Sequence, residues 1–224
     1  MIRYEGVKYA LLSLFLLSAI DVAARGSWRP ERRFEAELWM GLDNNQTWTI
    51  EPAVSYMPCK WVGIRMGIGL TRQYNQPLYV AEIGGLTYDL NDGDENVTRL
   101  LFKPSVRLVS PALFRNADQG LSLHLFAEPG LTLAVPANET LHLTGNVSGH
   151  PSLDLPNRDG RWLFGHLRGG VRFCVERLSV GVAYEYSNLD IYSCRRNVLV
   201  NGHRMSLPDR QNTHVVFAFA AYSF

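Results

Sequence analysis

The chain has 224 residues, a formal net charge of +1 and only 19% charged residues, with 11% aromatics. A near-neutral balance with no basic block and no RNA- or DNA-binding motif gives no case for a nucleic-acid partner. After the N-terminal run, no stretch reaches the roughly 18 apolar residues of a membrane-spanning helix, so any membrane crossing falls to strands.

The N-terminus reads as an export signal. Arg3 and Lys8 form a short basic region, residues 10–20 an apolar core, and Val22, Ala23 and Ala24 supply the small residues of a cleavage site. This predicts a signal peptide over 1–24, cut after Ala24, with a core too short to cross a bilayer as a helix. No cysteine lies near the cut, which argues against a lipoprotein. Residues 25–32, with Trp28 and Pro30, read as a short periplasmic lead-in. Residues 33–224 suffice for one domain.

Period-2 patterning dominates that domain and predicts eight strands. The first, 33–43, sets Phe34, Ala36, Leu38, Met40 and Leu42 against Glu35, Glu37, Trp39 and Gly41. The second, 47–57, sets Trp48, Ile50, Pro52, Val54 and Tyr56 against Thr49, Glu51, Ala53 and Ser55. Pro52 is unusual for a central strand. The third, 61–72, opposes Ile64, Met66, Ile68 and Leu70 to Gly63, Arg65, Gly67 and Gly69. The fourth, 98–109, opposes Leu100, Phe102, Val106 and Leu108 to Arg99, Lys103, Ser105 and Arg107. The fifth, 121–135, opposes Leu125, Leu131 and Leu133 to His124, Glu128 and Thr132. The sixth, 161–175, opposes Leu163, Leu167, Val171 and Phe173 to His166, Arg168 and Arg172. The seventh, 178–187, opposes Val180, Val182, Tyr184 and Tyr186 to Ser179, Gly181, Glu185 and Ser187.

The eighth segment is the terminal run, 214–224, uncharged and ending on an aromatic. A soluble sheet would leave such a strand as an aggregating edge, whereas a barrel in a membrane closes on it. Its alternation is weak: Phe217 and Phe219 fall opposite Tyr222 and Phe224, as either a bulge or an aromatic-filled interior would produce. The ending resembles that of outer-membrane β-barrel proteins, whose assembly machinery recognises a final Phe and an aromatic two residues earlier; Tyr222 and Phe224 match. Together with the eight segments, the chain resembles the small eight-stranded outer-membrane barrel superfamily of Gram-negative bacteria. The resemblance implies an all-β, antiparallel up-and-down transmembrane barrel in the cell outer membrane. Its implied partners are lipid, lipopolysaccharide, the barrel assembly machinery and an unidentified extracellular ligand, with no cofactor. Eight strands leave a lumen filled by side chains, which disfavours a general diffusion porin.

Connection lengths agree with that topology. Outward connections over 44–46, 73–97, 136–160 and 188–211 are mostly long. The inward ones, 58–60, 110–120 and 176–177, are shorter. The polar rows carry the acids Glu35, Glu37, Glu51, Glu128 and Glu185 and the bases Arg65, Arg99, Lys103, Arg107, Arg168 and Arg172. Facing inward, these charges must neutralise one another in pairs. Facing outward, they would be the solvated surface of a soluble barrel. Alternation alone does not distinguish the two; the signal peptide, terminal Phe and loop lengths favour the inward assignment. The apolar rows, flanked by Trp39, Trp48, Tyr56, Tyr184 and Tyr222, are then expected to meet lipid and its interfaces.

Chemical motifs are sparse. Cys59, Cys174 and Cys194 show no metal-ligand spacing, and a Cys59–Cys174 bridge would join non-adjacent strands. The stretch 184–188 is similar to the His-x-Ser-Asn stretch of outer-membrane lipid A deacylases. Ser187 and Asn188 match, but Glu185 stands where that family has its general base, and a carboxylate is a weak base for serine. His124 and His166 share the polar face without a ligand pattern. The acidic run of Asp89, Asp92, Asp94 and Glu95 lacks the ordered spacing of a calcium loop. Asn-x-Ser/Thr triplets at Asn45, Asn96, Asn138 and Asn146 read as turn composition. The leading expectation is a non-enzymatic outer-membrane barrel whose loops serve envelope stability, adhesion or ligand binding. The alternatives are a deacylase-like lipid A enzyme and a soluble secreted barrel carrying an apolar ligand.

Deleting Phe224, or replacing it with Asn, should lower the yield of folded protein in outer membranes. Normal membrane yield of that variant would count against an assembly signal at the C-terminus.

Overall fold

The computed structural model describes residues 33–44, 47–73, 80–83, 86–90, 97–116, 118, 120–145, 152–200, 203–204 and 212–224. The signal and lead-in segments, the acidic residues at 92–95 and the triplets at Asn45, Asn96 and Asn146 lie outside the described residues. Eight long strands form the barrel: β1 (Phe34–Asp43), β2 (Thr47–Tyr56), β3 (Val62–Gln73), β4 (Thr98–Val109), β5 (Leu121–Val135), β6 (Leu163–Val175), β7 (Leu178–Ser187) and β8 (Thr213–Ser223). Each pairs antiparallel with its neighbours in sequence. β8 also returns to β1, from Glu35 opposite Ser223 to Asp43 opposite Val215. The sheet is therefore closed, and the terminal strand has no raw edge. Antiparallel up-and-down topology gathers the long connections at one end, the loop end. The short turns and Phe224 sit at the other, the turn end.

The predicted faces set the polarity. Along β1 the apolar row is exposed and the Glu35–Glu37–Trp39 row is buried. The same inversion runs around the barrel: Ile64 is 60% exposed while its neighbour Arg65 is fully buried. The prolines sit where the ladders tolerate a missing donor. Pro52 is on the exposed face, and the β2–β3 register breaks across Glu51 and Pro52, between the Ile50–Leu70 and Ala53–Gly67 pairs.

Two expectations about aromatics are resolved by the register. β8 pairs without interruption to both β1 and β7, so it carries no bulge. Phe217 and Phe219 are buried and join Trp39 and Phe126 in an aromatic cluster inside the lumen. Trp39 stacks on Phe219 at a centroid distance of 4.0 Å, with Phe126 and Phe217 edge-on at 6.0 and 5.8 Å. The expectation that Trp39 meets lipid is thus corrected. It sits on the even-numbered neighbours' opposite face, the row of Glu35 and Glu37, and is 0% exposed. Tyr184 and Tyr222 do face outward.

Glycine opposite two of these rings makes room for them in the narrow lumen. A Cβ on Gly41 would lie 2.6 Å from Phe217 Cδ1, and one on Gly181 would lie 2.6 Å from Phe219 Cε1. Both glycines face the aromatics across a ladder, at the Gly41–Phe217 and Gly181–Phe219 pairs.

The connections hold structure that periodicity did not predict. Short strands Val80–Ile83, Leu86–Leu90, Thr140–Gly145 and Leu153–Pro156 form a separate four-stranded sheet uniting the first two long loops, 73–97 and 136–160. Tyr88, Leu141 and Leu143 are buried within it. At the turn end, Phe114–Asn116 pairs with the start of β5. Such strands of three to six residues are too short to express a period in sequence.

Gly181→Ala should destabilise the folded barrel by about 1–3 kcal/mol through overpacking. Gly165→Ala, where a Cβ would meet nothing within 4 Å, should be neutral or slightly stabilising. Urea unfolding of the two variants side by side checks the difference.

Candidate functional site

Ten of the eleven charged residues singled out in the sequence meet in one buried network. At the turn end, Arg172 grips Glu35 through both terminal guanidinium nitrogens, at 2.7 and 2.6 Å. Ser223 donates to the same carboxylate at 3.1 Å. Arg107 reaches Glu35 at 3.1 Å, Glu37 at 2.6 Å and Glu128 at 2.5 Å. Arg65 joins Glu37 at 2.9 Å to Glu51 at 2.6 Å. Arg168 bridges Glu51 at 2.9 Å, Glu185 at 2.6 Å and Glu128 at 3.4 Å. Lys103 lies 3.2 Å from Glu51 and 2.6 Å from Glu185. Arg107, Glu37, Arg65, Glu51, Arg168 and Glu128 thereby close a ring of alternating sign.

The network holds five acids and five bases, and it is neutral. Neutrality matters because each isolated buried ion costs several kcal/mol, which only close partners and hydrogen bonds offset. The aromatic cluster borders the network directly. Trp39 Nε1 donates to Glu37 at 2.7 Å, and the Arg168 and Arg65 guanidinium carbons lie 4.4 and 4.9 Å from the Trp39 ring centroid. Ser55 also donates to Glu37. Gly67 makes room, since a Cβ there would lie 2.5 Å from Glu51 Oε1.

Arg99 is the exception. It is buried nearer the loop end, away from the five carboxylates. Its guanidinium donates to Ser193 Oγ at 2.7 Å, Pro136 O at 2.9 Å, Ala134 O at 3.3 Å and Asp190 O at 3.4 Å. Two of these acceptors belong to the last long connection, which the sequence places at the surface as a loop. That expectation is corrected for its first half. Residues 189–195 and Val198 are buried and fold into the barrel mouth as a plug of successive turns. Leu189 packs on Leu101, Ala134 and Phe164, and Tyr192 is 0% exposed beside Val97, Ile191 and Cys194. Asn157 Nδ2 donates to Cys194 O at 2.5 Å, Thr213 Oγ1 donates to Leu189 O at 2.9 Å, and Arg195 pairs with Glu139. The only sequence signal for the plug is the apolar Leu189, Ile191, Tyr192 and Val198 in a stretch otherwise polar.

The remaining candidates separate in space or in chemistry. Glu185 is held by Lys103 and Arg168, whereas Ser187 Oγ donates to Gly165 O at 2.9 Å and accepts from Leu189 N. Ser187 is thus committed to backbone, and Glu185 to cations, so the two do not form a nucleophile and base couple. His166 Nδ1 lies 2.9 Å from Thr132 Oγ1, and His124 is near the turn end. No group of three metal-ligating side chains occurs among the described residues. Cys59, Cys174 and Cys194 are all free thiols. Burial in the plug pushes the Cys194 thiol up to about 12, which keeps it protonated and unreactive at neutral pH.

The same architecture recurs in solved structures at low sequence identity. The N-terminal β-barrel domain of Pseudomonas aeruginosa OprF is 8% identical, over 85% of this chain and 96% of that one, with a TM-score of 0.41. Neisserial surface protein A is 10% identical, over 87% and 97%, with a TM-score of 0.44. The outer membrane enzyme PagL is 12% identical, over 85% and 99%, also with a TM-score of 0.44. These are likenesses of fold. No protein-family model matches the sequence, and no curated protein matches it.

Glu51→Gln removes the anion shared by Arg65, Lys103 and Arg168 and should cost about 3–5 kcal/mol. Asp154→Asn, which breaks the exposed pair with His142, should cost no more than about 1 kcal/mol. Equal effects in denaturant titrations would show that the interior charges are not desolvated.

Proposed function

We propose that this chain is an integral outer-membrane β-barrel, exported through a cleaved signal peptide over 1–24. In this assignment it acts through its loop-end surface rather than as a pore or an enzyme. The observation that carries it is the inverted polarity of a closed barrel. Leu38, Met40, Val54, Met66, Leu131, Leu167, Val182 and Val216 are each at least 50% exposed, while ten charges are paired inside. In water this arrangement spends the hydrophobic effect backwards. In hydrocarbon it satisfies both faces, since the closed sheet pairs the wall strands around the whole barrel with no open edge and the apolar row meets lipid. A soluble carrier would need an apolar chamber, and this lumen is filled with charge.

A filled lumen and a plugged mouth argue against conduction. The loop-end sheet and the plug instead give the barrel a folded outer surface, suited to envelope stability, adhesion or capture of an extracellular ligand. Lipid and lipopolysaccharide would surround the wall. The barrel assembly machinery would receive the terminal strand through Tyr222 and Phe224.

Outer membranes from a Gram-negative host expressing the full chain should contain a band whose gel mobility changes on boiling. A soluble periplasmic product with no shift would overturn the assignment. Ile68→Arg, halfway along β3 on the exposed face, should then cost about 2–4 kcal/mol in bilayer folding, and Ile64→Arg, nearer the turn end, less. Unchanged lipid A masses on expression would be expected for this non-enzymatic role, and a lost acyl chain would contradict it.

A further inference from the structure

The plug closes the loop end, but the turn end stays open. There a cavity of about 510 Å³ is lined by Lys60, Trp61, Arg115, Asn116, Ser122 and His124, among others. Its shape follows from unequal strand lengths. Val109, the last residue of β4, pairs with Phe126, so residues 121–125 of β5 run on past it. That overhang is paired instead by Phe114–Asn116. The resulting hairpin stands off from Lys60 and Trp61 at the β2–β3 turn and leaves the space between them.

The lining is one-sided in charge. No Asp or Glu among the described residues lines the cavity. In the lumen every cation of the network is met by at least one carboxylate, whereas Lys60 and Arg115 are exposed and form no ion pair with a described residue. His124 bonds Ser110 O through Nδ1 at 3.0 Å; a carbonyl only accepts, so Nδ1 carries a proton. Its Nε2 lies 3.0 Å from the Ser122 hydroxyl. With Nδ1 protonated, Nε2 accepts from the Ser122 hydroxyl, so the wall offers an anion its two cations, Lys60 and Arg115.

Next to the cavity the outer face of the same hairpin is apolar: Leu113 is 60% and Phe114 55% exposed, directly before Arg115 in the chain. An amphiphile with a compact negative group satisfies both surfaces at once, which a soluble anion does not. We infer that this vestibule binds an anionic phospholipid of the inner leaflet, with its phosphate at Lys60 and Arg115 and its acyl chains along Leu113 and Phe114. The inference rests on the membrane assignment above, with the turn end facing the phospholipid leaflet.

The test uses the full barrel folded in detergent, with dihexanoyl phosphatidylglycerol, dihexanoyl phosphatidylcholine and inorganic phosphate as probes in titration calorimetry. Phosphatidylglycerol should bind one per barrel and more tightly than phosphatidylcholine. The K60Q/R115Q double variant should weaken it on the order of tenfold, while R158Q at the loop end should leave it unchanged. Phe114→Ser should weaken phosphatidylglycerol without changing the response to inorganic phosphate. Unchanged affinity in K60Q/R115Q, or an equal loss in R158Q, would overturn the site. Inorganic phosphate competing as well as the lipid would overturn the lipid assignment. The boiling shift of the parent chain reads the membrane assignment separately. A retained shift with no phosphatidylglycerol preference refutes only the vestibule, and an absent shift refutes the barrel reading itself.

Discussion

Everything in this molecule depends on burying ten charges in a lumen only eight strands wide. Each ion would be prohibitive alone, and the wall leaves little room for water to solvate it. The structure meets the constraint with alternating sign. Glu51 alone contacts Arg65, Lys103 and Arg168, and Arg107 reaches three glutamates. Because these side chains come from seven of the eight strands, the pairing works only in the closed register. A one-residue slip of any strand would send its charges into the apolar face. The network that is costly to bury therefore also specifies which barrel forms.

Aromatic and glycine positions complete the packing that charge alone leaves undone. Trp39 serves both systems, donating to Glu37 and stacking on Phe219. Gly41 and Gly181 remove side chains where the rings press, and Gly67 removes one where Glu51 and Arg65 meet. Small and large residues thus trade volume across the ladders, and the lumen is filled without a pore.

The two mouths differ because their connections differ. Long loops can fold back, and residues 189–195 do so, with Arg99 bonding the plug from the barrel wall. Short turns cannot reach across the lumen, so the turn end keeps a vestibule whose two cations form no ion pair with a described residue. The asymmetry places a folded surface at one end and a charged, partly apolar rim at the other.

The alternation of polar and apolar residues determined the strand number, their spans within two residues and the face of nearly every side chain, because the period of a strand is two and a barrel wall separates two unlike media. It also marked all ten charges of the network as one face. It left open whether that face pointed in or out, since the pattern is the same in a soluble barrel. The aromatic break in β8 was legible but ambiguous between a bulge and a filled interior. The residue type of Trp39 points to a lipid interface, whereas its row, that of Glu35 and Glu37, points inward. Only the closed structure decided these points, through contacts between residues far apart in sequence. It separated Arg99 from the other bases, drew the last loop into the mouth and left Lys60 and Arg115 around an open cavity. None of these has a local period to betray it; each depends on which strand ends arrive beside one another once the sheet is closed.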